Sequence, residues 1–201
     1  DPTDAKIEAF WEWFISFESQ IREFFAETLY TDKDLLTEAI NNQVLNFGMF
    51  TWEIGQGNDQ RYYLTISPNG NKKQLKLSKK IMKAAPAMPD WQFNYAKPPK
   101  EEALKFPIYD NFMNEHSVDA SEWNYTLQKF PDQTVGILLE TGNIDYLDPE
   151  TQSTACDLVI TNILGEELKI LFVQKVAFVN QLEASLSENR APIGSLKWNV
   201  E

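Results

Sequence analysis

The chain has 201 residues, of which 43% are hydrophobic and 24% charged, and its formal net charge is −12. A chain of this length and hydrophobicity can bury a core, which separates it from the disordered class. The negative charge disfavours nonspecific binding to nucleic acid or to anionic lipid, because both require a basic surface.

The sequence contains no run of about 20 apolar residues, so we expect no membrane-spanning segment. Its start, Asp1-Pro2-Thr3-Asp4, lacks the basic and apolar regions of a signal peptide. Cys156 is the only cysteine and has no partner for an internal disulfide. These features predict a cytoplasmic protein. Since the chain lacks an initiator Met, removal of an N-terminal segment stays open.

A long amphipathic helix is predicted at the N-terminus, with Thr3 or Asp4 as its cap. Its apolar residues recur at spacings of three and four. They are Ile7, Phe10, Trp11, Phe14, Phe17, Ile21, Phe24, Phe25 and Leu29. A second helix is predicted from Asp34 to about Gln43. Its inward residues would be Leu35, Leu36, Ala39 and Ile40.

After the second helix the apolar period changes from 3.6 to 2, which is typical of strands. Alternating residues over 50–54 and 61–66 predict a β-hairpin. A lysine-rich helix is predicted next, over about 72–85, and Pro86 ends it because proline cannot continue a helix. Alternation over 91–95 predicts a third strand. The first half thus has the order strand–strand–helix–strand.

The second half repeats that order after an irregular connection, Lys97 to Ala120, in which prolines break any long element and in which one short strand or helix stays open. Strands are predicted over 123–128 and 135–139. A helix begins at the cap Asp148 and ends before Gly165, a residue suited to the positive φ of a helix end. A last strand is predicted to begin at Leu168.

These elements predict an α+β fold with a mainly antiparallel sheet and a duplicated strand–strand–helix–strand unit. We expect a single domain over residues 1–201, with halves at 1–97 and 120–181. The last twenty residues would lie as a tail on the domain. Eight large apolar residues are expected on the inner faces of the sheet. They are Phe50, Trp52, Leu64, Trp91, Phe93, Trp123, Ile137 and Phe172.

Three segments resemble an uncharacterised bacterial protein family. They are Phe10-Trp11-Glu12-Trp13-Phe14, the stretch from Ala84 to Phe93 with the sequence AAPAMPDWQF, and Ile163-Leu164-Gly165-Glu166. No activity, cofactor or catalytic residue is known for that family. The resemblance therefore implies a fold and a bacterial context only.

No recognisable catalytic motif is present in the sequence. His116 is the only histidine, and without a nucleophile elbow it is expected to be a surface residue. Cys156 lies on the apolar face of its helix and is expected to be buried and inert. An acidic cluster holds Asn143, Asp145, Asp148 and Glu150. It lacks the spacing of a calcium loop, so we expect neither a metal nor a cofactor.

Two carboxylates and a set of lysines remain as weak site candidates. Asp157 lies in mid-helix, and Glu166 follows the helix-ending glycine, where the helix dipole disfavours a negative charge. With displaced pKa values, the two could act as acid and base in a hydrolase. The lysine helix presents a basic face that could bind an anion. Its candidate residues are Lys72, Lys76, Lys79, Lys80 and Lys83.

Charge is unevenly distributed along the chain. Residues 1–50 carry a net charge of −7, residues 51–100 of +6, residues 101–150 of −9, and the remainder of −2. The favoured hypothesis is a noncatalytic binding or regulatory protein that engages a basic protein through an acidic surface. The acids expected to steer this encounter are Glu23, Glu27, Glu115 and Asp119. The alternative is the carboxylate-dependent hydrolase.

Overall fold

The computed structural model describes residues 2–26, 32–100 and 102–200 of the chain. The chain forms two compact units, Asp1–Lys97 and Pro98–Glu201, and each has its own hydrophobic core. The fold is α+β with a long N-terminal helix and mostly antiparallel strand pairs, as the sequence predicts. Within the described residues, no helix has both the length and the apolar character needed to cross a membrane.

The N-terminal unit packs three helices on a three-stranded sheet. The helices are α1 (Pro2–Phe25), α2 (Lys33–Leu45) and α3 (Lys72–Lys83), and the strands are β1 (Thr51–Gln56), β2 (Tyr62–Ser67) and β3 (Trp91–Asn94). The sheet order is β1-β2-β3. Strands β1 and β2 are antiparallel, whereas β3 runs parallel to β2 after the crossover through α3.

Helix α1 buries the face that its sequence period predicts. Its buried residues are Ile7, Phe10, Trp11, Phe14 and Ile21. The indole Nε1 of Trp11 donates to the carbonyl oxygen of Ile81 at 2.9 Å, which fixes α1 to the end of α3. The predicted stripe also included Leu29, which lies outside the described residues.

The expected inward face of α2 is partly wrong. Leu35 is 64% exposed, and the buried residues are Leu36, Ile40 and Val44. Consecutive helical residues differ by about 100° around the axis, and here Leu36 points to the core while Leu35 points to solvent. The spacing of four residues between Leu36, Ile40 and Val44 decides which face of α2 is buried.

The C-terminal unit contains a two-stranded hairpin, a four-stranded sheet and the helices around them. The hairpin pairs β4 (Lys105–Tyr109) with β5 (Glu115–Asp119). The sheet consists of β6 (Asn124–Lys129), β7 (Val135–Glu140), β8 (Val173–Val179) and β9 (Ala191–Pro192), in the order β8-β7-β6-β9. The helices are α4 (Pro149–Leu164), α5 (Glu166–Phe172), α6 (Ala184–Ser187) and α7 (Leu196–Val200).

The strand–strand–helix–strand order occurs in both units with the same pairing. Strands β6 and β7 are antiparallel, and β8 runs parallel to β7 after the crossover through α4 and α5. This is the arrangement of β1, β2 and β3 around α3. The chain end adds β9 to the edge at β6 and buries Ile193 and Leu196.

Two predictions for the C-terminal unit are wrong. The segment expected to be irregular contains the β4–β5 hairpin, in which Pro107 pairs with Ser117. A proline is tolerated there because each strand of an isolated hairpin has an unpaired edge. The last strand begins at Val173 and not at Leu168, since residues 166–172 form α5. This stretch combines strong helix formers with an apolar alternation, so the period alone misassigns it.

The expected burial of large apolar residues holds for most of the set. Buried residues are Phe50, Leu64, Trp91, Trp123 and Ile137. Trp52, Phe93 and Phe172 are only half-buried, and Phe172 belongs to α5 instead of a strand.

The predicted helix signals are confirmed at α4. The carboxylate of Asp148 accepts the N–H of Thr151 at 3.0 Å, and Gly165 has a φ of 76°.

Candidate protein-binding site

The acidic excess lies almost wholly in the C-terminal unit. Residues 98–201 contain seven Lys and Arg against seventeen Asp and Glu, a net charge of −10. Residues 1–97 contain eleven against thirteen, a net charge of −2. Between Lys105 and Lys169 the sequence has one basic residue, Lys129. This stretch begins with the β4–β5 hairpin.

The hairpin ends in a tip, residues 110–114, that presents two apolar side chains to solvent. Phe112 is 86% exposed and Met113 is 77% exposed. The carboxylate of Asp110 accepts the backbone N–H groups of Phe112 and Asn114, each at 2.9 Å. It also accepts the side-chain amide of Asn114 at 3.1 Å. The tip is therefore held by hydrogen bonds from inside, while its apolar side chains point away from any core.

His116 completes the support of the tip. Its Nε2 lies 2.9 Å from a carboxylate oxygen of Asp110, and its ring lies 5.8 Å from the ring of Tyr146. The histidine expected at the surface is partly buried, since 25% of its side chain is exposed. The hydrogen bonds from His116 and from the tip hold the pKa of Asp110 well below its usual range. Asp110 is accordingly charged at neutral pH and remains a strong acceptor.

Acidic and aromatic side chains surround the tip. The hydroxyl of Tyr109 donates to Glu115 at 2.5 Å, and the side-chain amide of Asn111 donates to Glu150 at 2.9 Å. The second bond joins the tip to the first turn of α4. We call the exposed set around the tip the tip surface. It consists of Tyr109, Phe112, Met113, Glu115, Tyr146 and Glu150. It combines four large apolar or aromatic groups with two carboxylates.

The acids expected to steer an encounter differ in their surroundings. Glu115 is exposed in the tip surface, and Glu23 is exposed on α1 in the other unit. Asp119 pairs with Lys105 at 3.1 Å and accepts the hydroxyl of Ser121 at 2.6 Å, so its charge is largely compensated. Glu27 lies outside the described residues. Of the described acids in this group, Glu115 alone lies in the tip surface.

The two carboxylates predicted as an acid–base pair lie in α4 and α5. Asp157 is exposed and pairs with Lys169 at 2.6 Å. Glu166 is buried in the first turn of α5, where the helix dipole favours a negative charge. The strand predicted to begin at Leu168, just after Glu166, is absent from that position because α5 follows α4 directly. A catalytic role for this pair stays a prediction.

The acidic cluster around Asp148 has structural partners. Asn143 accepts the indole N–H of Trp123 at 2.8 Å and donates to the carbonyl oxygen of Asp119 at 2.7 Å. Asp148 caps α4. Among the residues that the structure describes, no group of three His, Cys, Asp or Glu side chains could hold a metal ion. Cys156 is buried, as predicted, and burial raises the pKa of its thiol to about 12.

The lysine candidates lie on the exposed face of α3, opposite Leu75, Ile81 and Met82. Lys80 pairs with Asp4 of α1 at 2.7 Å, so part of the basic face compensates the unit's own acidic helix. The ammonium of Lys79 lies 5.1 Å from the ring centre of Tyr95. Lys72, Lys76 and Lys83 are exposed, and their role as anion ligands stays a prediction.

Comparison with known families, curated proteins and solved structures finds no match to this chain. The family resemblance of the three segments therefore stays a prediction. Phe112 and Met113 are not among the residues predicted as site candidates from the sequence. A signal was present, since an apolar pair flanked by Asp110-Asn111 and Asn114 stands in a stretch rich in turn residues.

Proposed function

We propose that the protein is a noncatalytic binding protein that docks a basic protein partner through the tip surface of its C-terminal unit. The observation that carries this proposal is the exposure of Phe112 and Met113 on a hydrogen-bonded tip. Burial of a Phe or Met side chain contributes about 1.5–3 kcal/mol. Such residues are often buried in a core, and exposed apolar side chains that form one contiguous patch mark interaction sites.

The fixed tip supports a docking role for an energetic reason. A loop that must be ordered on binding loses conformational entropy, and this loss lowers affinity. The bonds from Asp110 order the tip before any partner arrives. Phe112 and Met113 would then act as anchors that enter an apolar pocket, since a few buried side chains supply most of the affinity of an interface.

The carboxylates of the tip surface favour a basic partner. Glu115 and Glu150 flank the apolar pair, and the unit carries a net charge of −10. Opposite charges on a partner speed the encounter and fix its orientation. The same charges oppose docking on an anionic membrane. The matching partner therefore has an apolar pocket bordered by Lys or Arg.

The proposal is tested with a partner captured from a lysate of the source cells, identified by mass spectrometry and purified. Its association and dissociation rates are then measured by surface plasmon resonance. Met113→Ser and Phe112→Ser should each raise the dissociation rate about tenfold or more, since the anchor is lost. Met49→Ser is the matched control, because Met49 is 76% exposed but lies in the other unit.

Charge is tested separately from the anchors. Glu115→Lys with Glu150→Lys should slow association and weaken its dependence on salt, because exposed charges are screened within about 8–10 Å. Glu183→Lys with Glu188→Lys, which reverses two exposed acids of the same unit, controls for net charge. A partner that binds the serine variants and the lysine variants with unchanged rates would contradict the proposed function.

A further inference from the structure

The four-stranded sheet of the C-terminal unit has a groove on the face that is turned away from α4. Alternate residues of β7, including Ile137 and Leu139, join the core with α4, so the residues between them face the other side. The groove has a volume of about 430 Å³, and residues of β6, β7, β8 and the segment after β8 line it. We call it the sheet groove. Its lining includes Thr126, Gln128, Leu138, Lys175, Ala177 and Leu186.

The wall of the groove is held at both ends by Glu140 of β7. A carboxylate oxygen of Glu140 accepts the N–H of Leu182 at 2.7 Å, and the other lies 3.4 Å from the guanidinium of Arg190. Leu182 is buried, whereas Leu186, in the middle of the segment, is partly exposed. The segment 182–190 is therefore attached beside the sheet at both of its ends, and the apolar side chain of Leu186 lies at its centre.

Gly136 shapes the floor of the groove. A Cβ atom at this position would lie 3.1 Å from Cε of Lys175 and 3.5 Å from the ring of Phe130. The absence of a side chain lets the stem of Lys175 lie flat on the strand. Its ammonium then sits 5.9 Å from the ring centre of Phe130. The cation is positioned, and it makes no ion pair with the described carboxylates.

The lining matches the general form of a small-molecule site, a mostly apolar concavity with a few polar groups. Leu138, Ala177 and Leu186 are apolar, and Lys175 is the one charged side chain among the described residues of the lining. The side chains of Thr126, Gln128 and Asn189 also line the groove, and they make no hydrogen bond to any described residue. A ligand can therefore bond to these groups without breaking a hydrogen bond within the protein.

We propose that the sheet groove binds an amphipathic monocarboxylate. Its apolar body would lie against Leu138, Ala177 and Leu186, and its carboxylate would accept hydrogen bonds from the Lys175 ammonium. A single cation matches a single negative charge and does not match a dianion or a polyphosphate. The volume lies in the usual range for ligand pockets and suits a chain of about ten carbons. This site is independent of the tip surface and of the proposed function.

The test uses decanoate as the probe and the full chain labelled with ¹⁵N. Backbone amide shifts recorded during titration locate the site, and calorimetry gives the affinity. Shifts should be confined to strands β6 to β8 and segment 182–190. Lys175→Met, which keeps an unbranched apolar side chain, should weaken binding about tenfold because a charge-assisted hydrogen bond is lost. Lys129→Met is the matched control, because Lys129 is exposed on β6 outside the lining.

A second variant tests the apolar part without altering charge. Ala177→Trp places a large ring in the groove from an exposed strand position, so the fold should be retained and decanoate binding lost. 1-Decanol should bind at least tenfold more weakly than decanoate. The proposal is overturned if decanoate produces no shifts at millimolar concentration, or shifts elsewhere. It is also overturned if Lys175→Met and Lys129→Met bind equally, or if the alcohol binds as well as the acid.

Discussion

Replacement of Trp91 by Ala is expected to cost the N-terminal unit about 3–5 kcal/mol of unfolding free energy. The side chain is 4% exposed and lies in the core cluster of that unit. Its ring meets Phe14 edge-on at 5.0 Å and stacks on Phe93 at 6.0 Å. Its indole N–H donates to Glu18 at 2.8 Å. The variant would therefore lose both packing, across the contact of α1 with β3, and a hydrogen bond to a charged acceptor.

Trp91→Phe separates these two contributions. The phenyl ring keeps most of the packing but has no N–H, so this variant should lose about 1.5–3 kcal/mol, the usual range for a hydrogen bond to a charged group. Trp198→Ala is the control, because Trp198 is 76% exposed and its loss should change stability by no more than about 0.5 kcal/mol.

Urea unfolding followed by circular dichroism gives the free energies, and hydrogen exchange of α1 amides assigns the loss to the N-terminal unit. A loss under about 1 kcal/mol for Trp91→Ala, indistinguishable from Trp198→Ala, would refute the burial of this side chain and with it the packing of α1 on β3.

Three further predictions concern single residues of the C-terminal unit. Gly165→Ala should lower the unfolding free energy by about 1–3 kcal/mol, because a φ of 76° strains any residue with a Cβ. Gly194→Ala is the control, since a Cβ at Gly194 would meet no atom within 4 Å and should hardly change the unfolding free energy. Equal melting temperatures for the two variants would contradict the predicted strain at Gly165. Cys156 should react with a disulfide reagent only as fast as the unit unfolds, since its thiol is buried and the pKa of the thiol is raised to about 12. Rapid labelling in the absence of urea would contradict the burial of this thiol. The pKa of Asp110 is lower in the folded protein than in the unfolded chain, where it is about 3.9. The stabilisation of the tip by this carboxylate is therefore complete above about pH 3.9 and is lost as the pH falls through the pKa of the folded protein. The Asp110 carboxyl group itself should thus not titrate between pH 7 and 5, as followed by its side-chain ¹³C shift, and titration of this carboxyl group in that range would count against it as the support.

The fold class and most elements could be predicted from the sequence because they depend on local periods and end signals. The spacing of Phe10, Phe14 and Ile21 defines the buried face of α1 without knowledge of what covers it. Asp148 and Gly165 mark the ends of α4 through their own backbone and side-chain chemistry. The alternation of β6 and β7 likewise indicates paired strands before any partner is known.

Where two local signals conflicted, only the tertiary structure decided. Residues 166–172 combine strand-like alternation with strong helix formers, and the observed helix buries Ile170 one turn from Glu166. Leu35 and Leu36 are equivalent in the sequence, yet a single core selects Leu36. The β4–β5 hairpin was not predicted because Pro107 argues against a strand. The energetic cost of a proline in a strand depends on which edge of that strand remains unpaired, and the sequence does not show this.

The candidate sites depended most on the tertiary structure. The sequence alone determined the acidic balance around residues 101–150, since charge is a sum over residues. The sequence does not predict that the Asp110 carboxylate contacts His116 and the tip amides. It also does not predict that Phe112 and Met113 are exposed to solvent. It also could not bring Lys175 across Gly136 from a strand almost forty residues away. Such sites arise from contacts between distant segments, and those contacts exist only once the chain has folded.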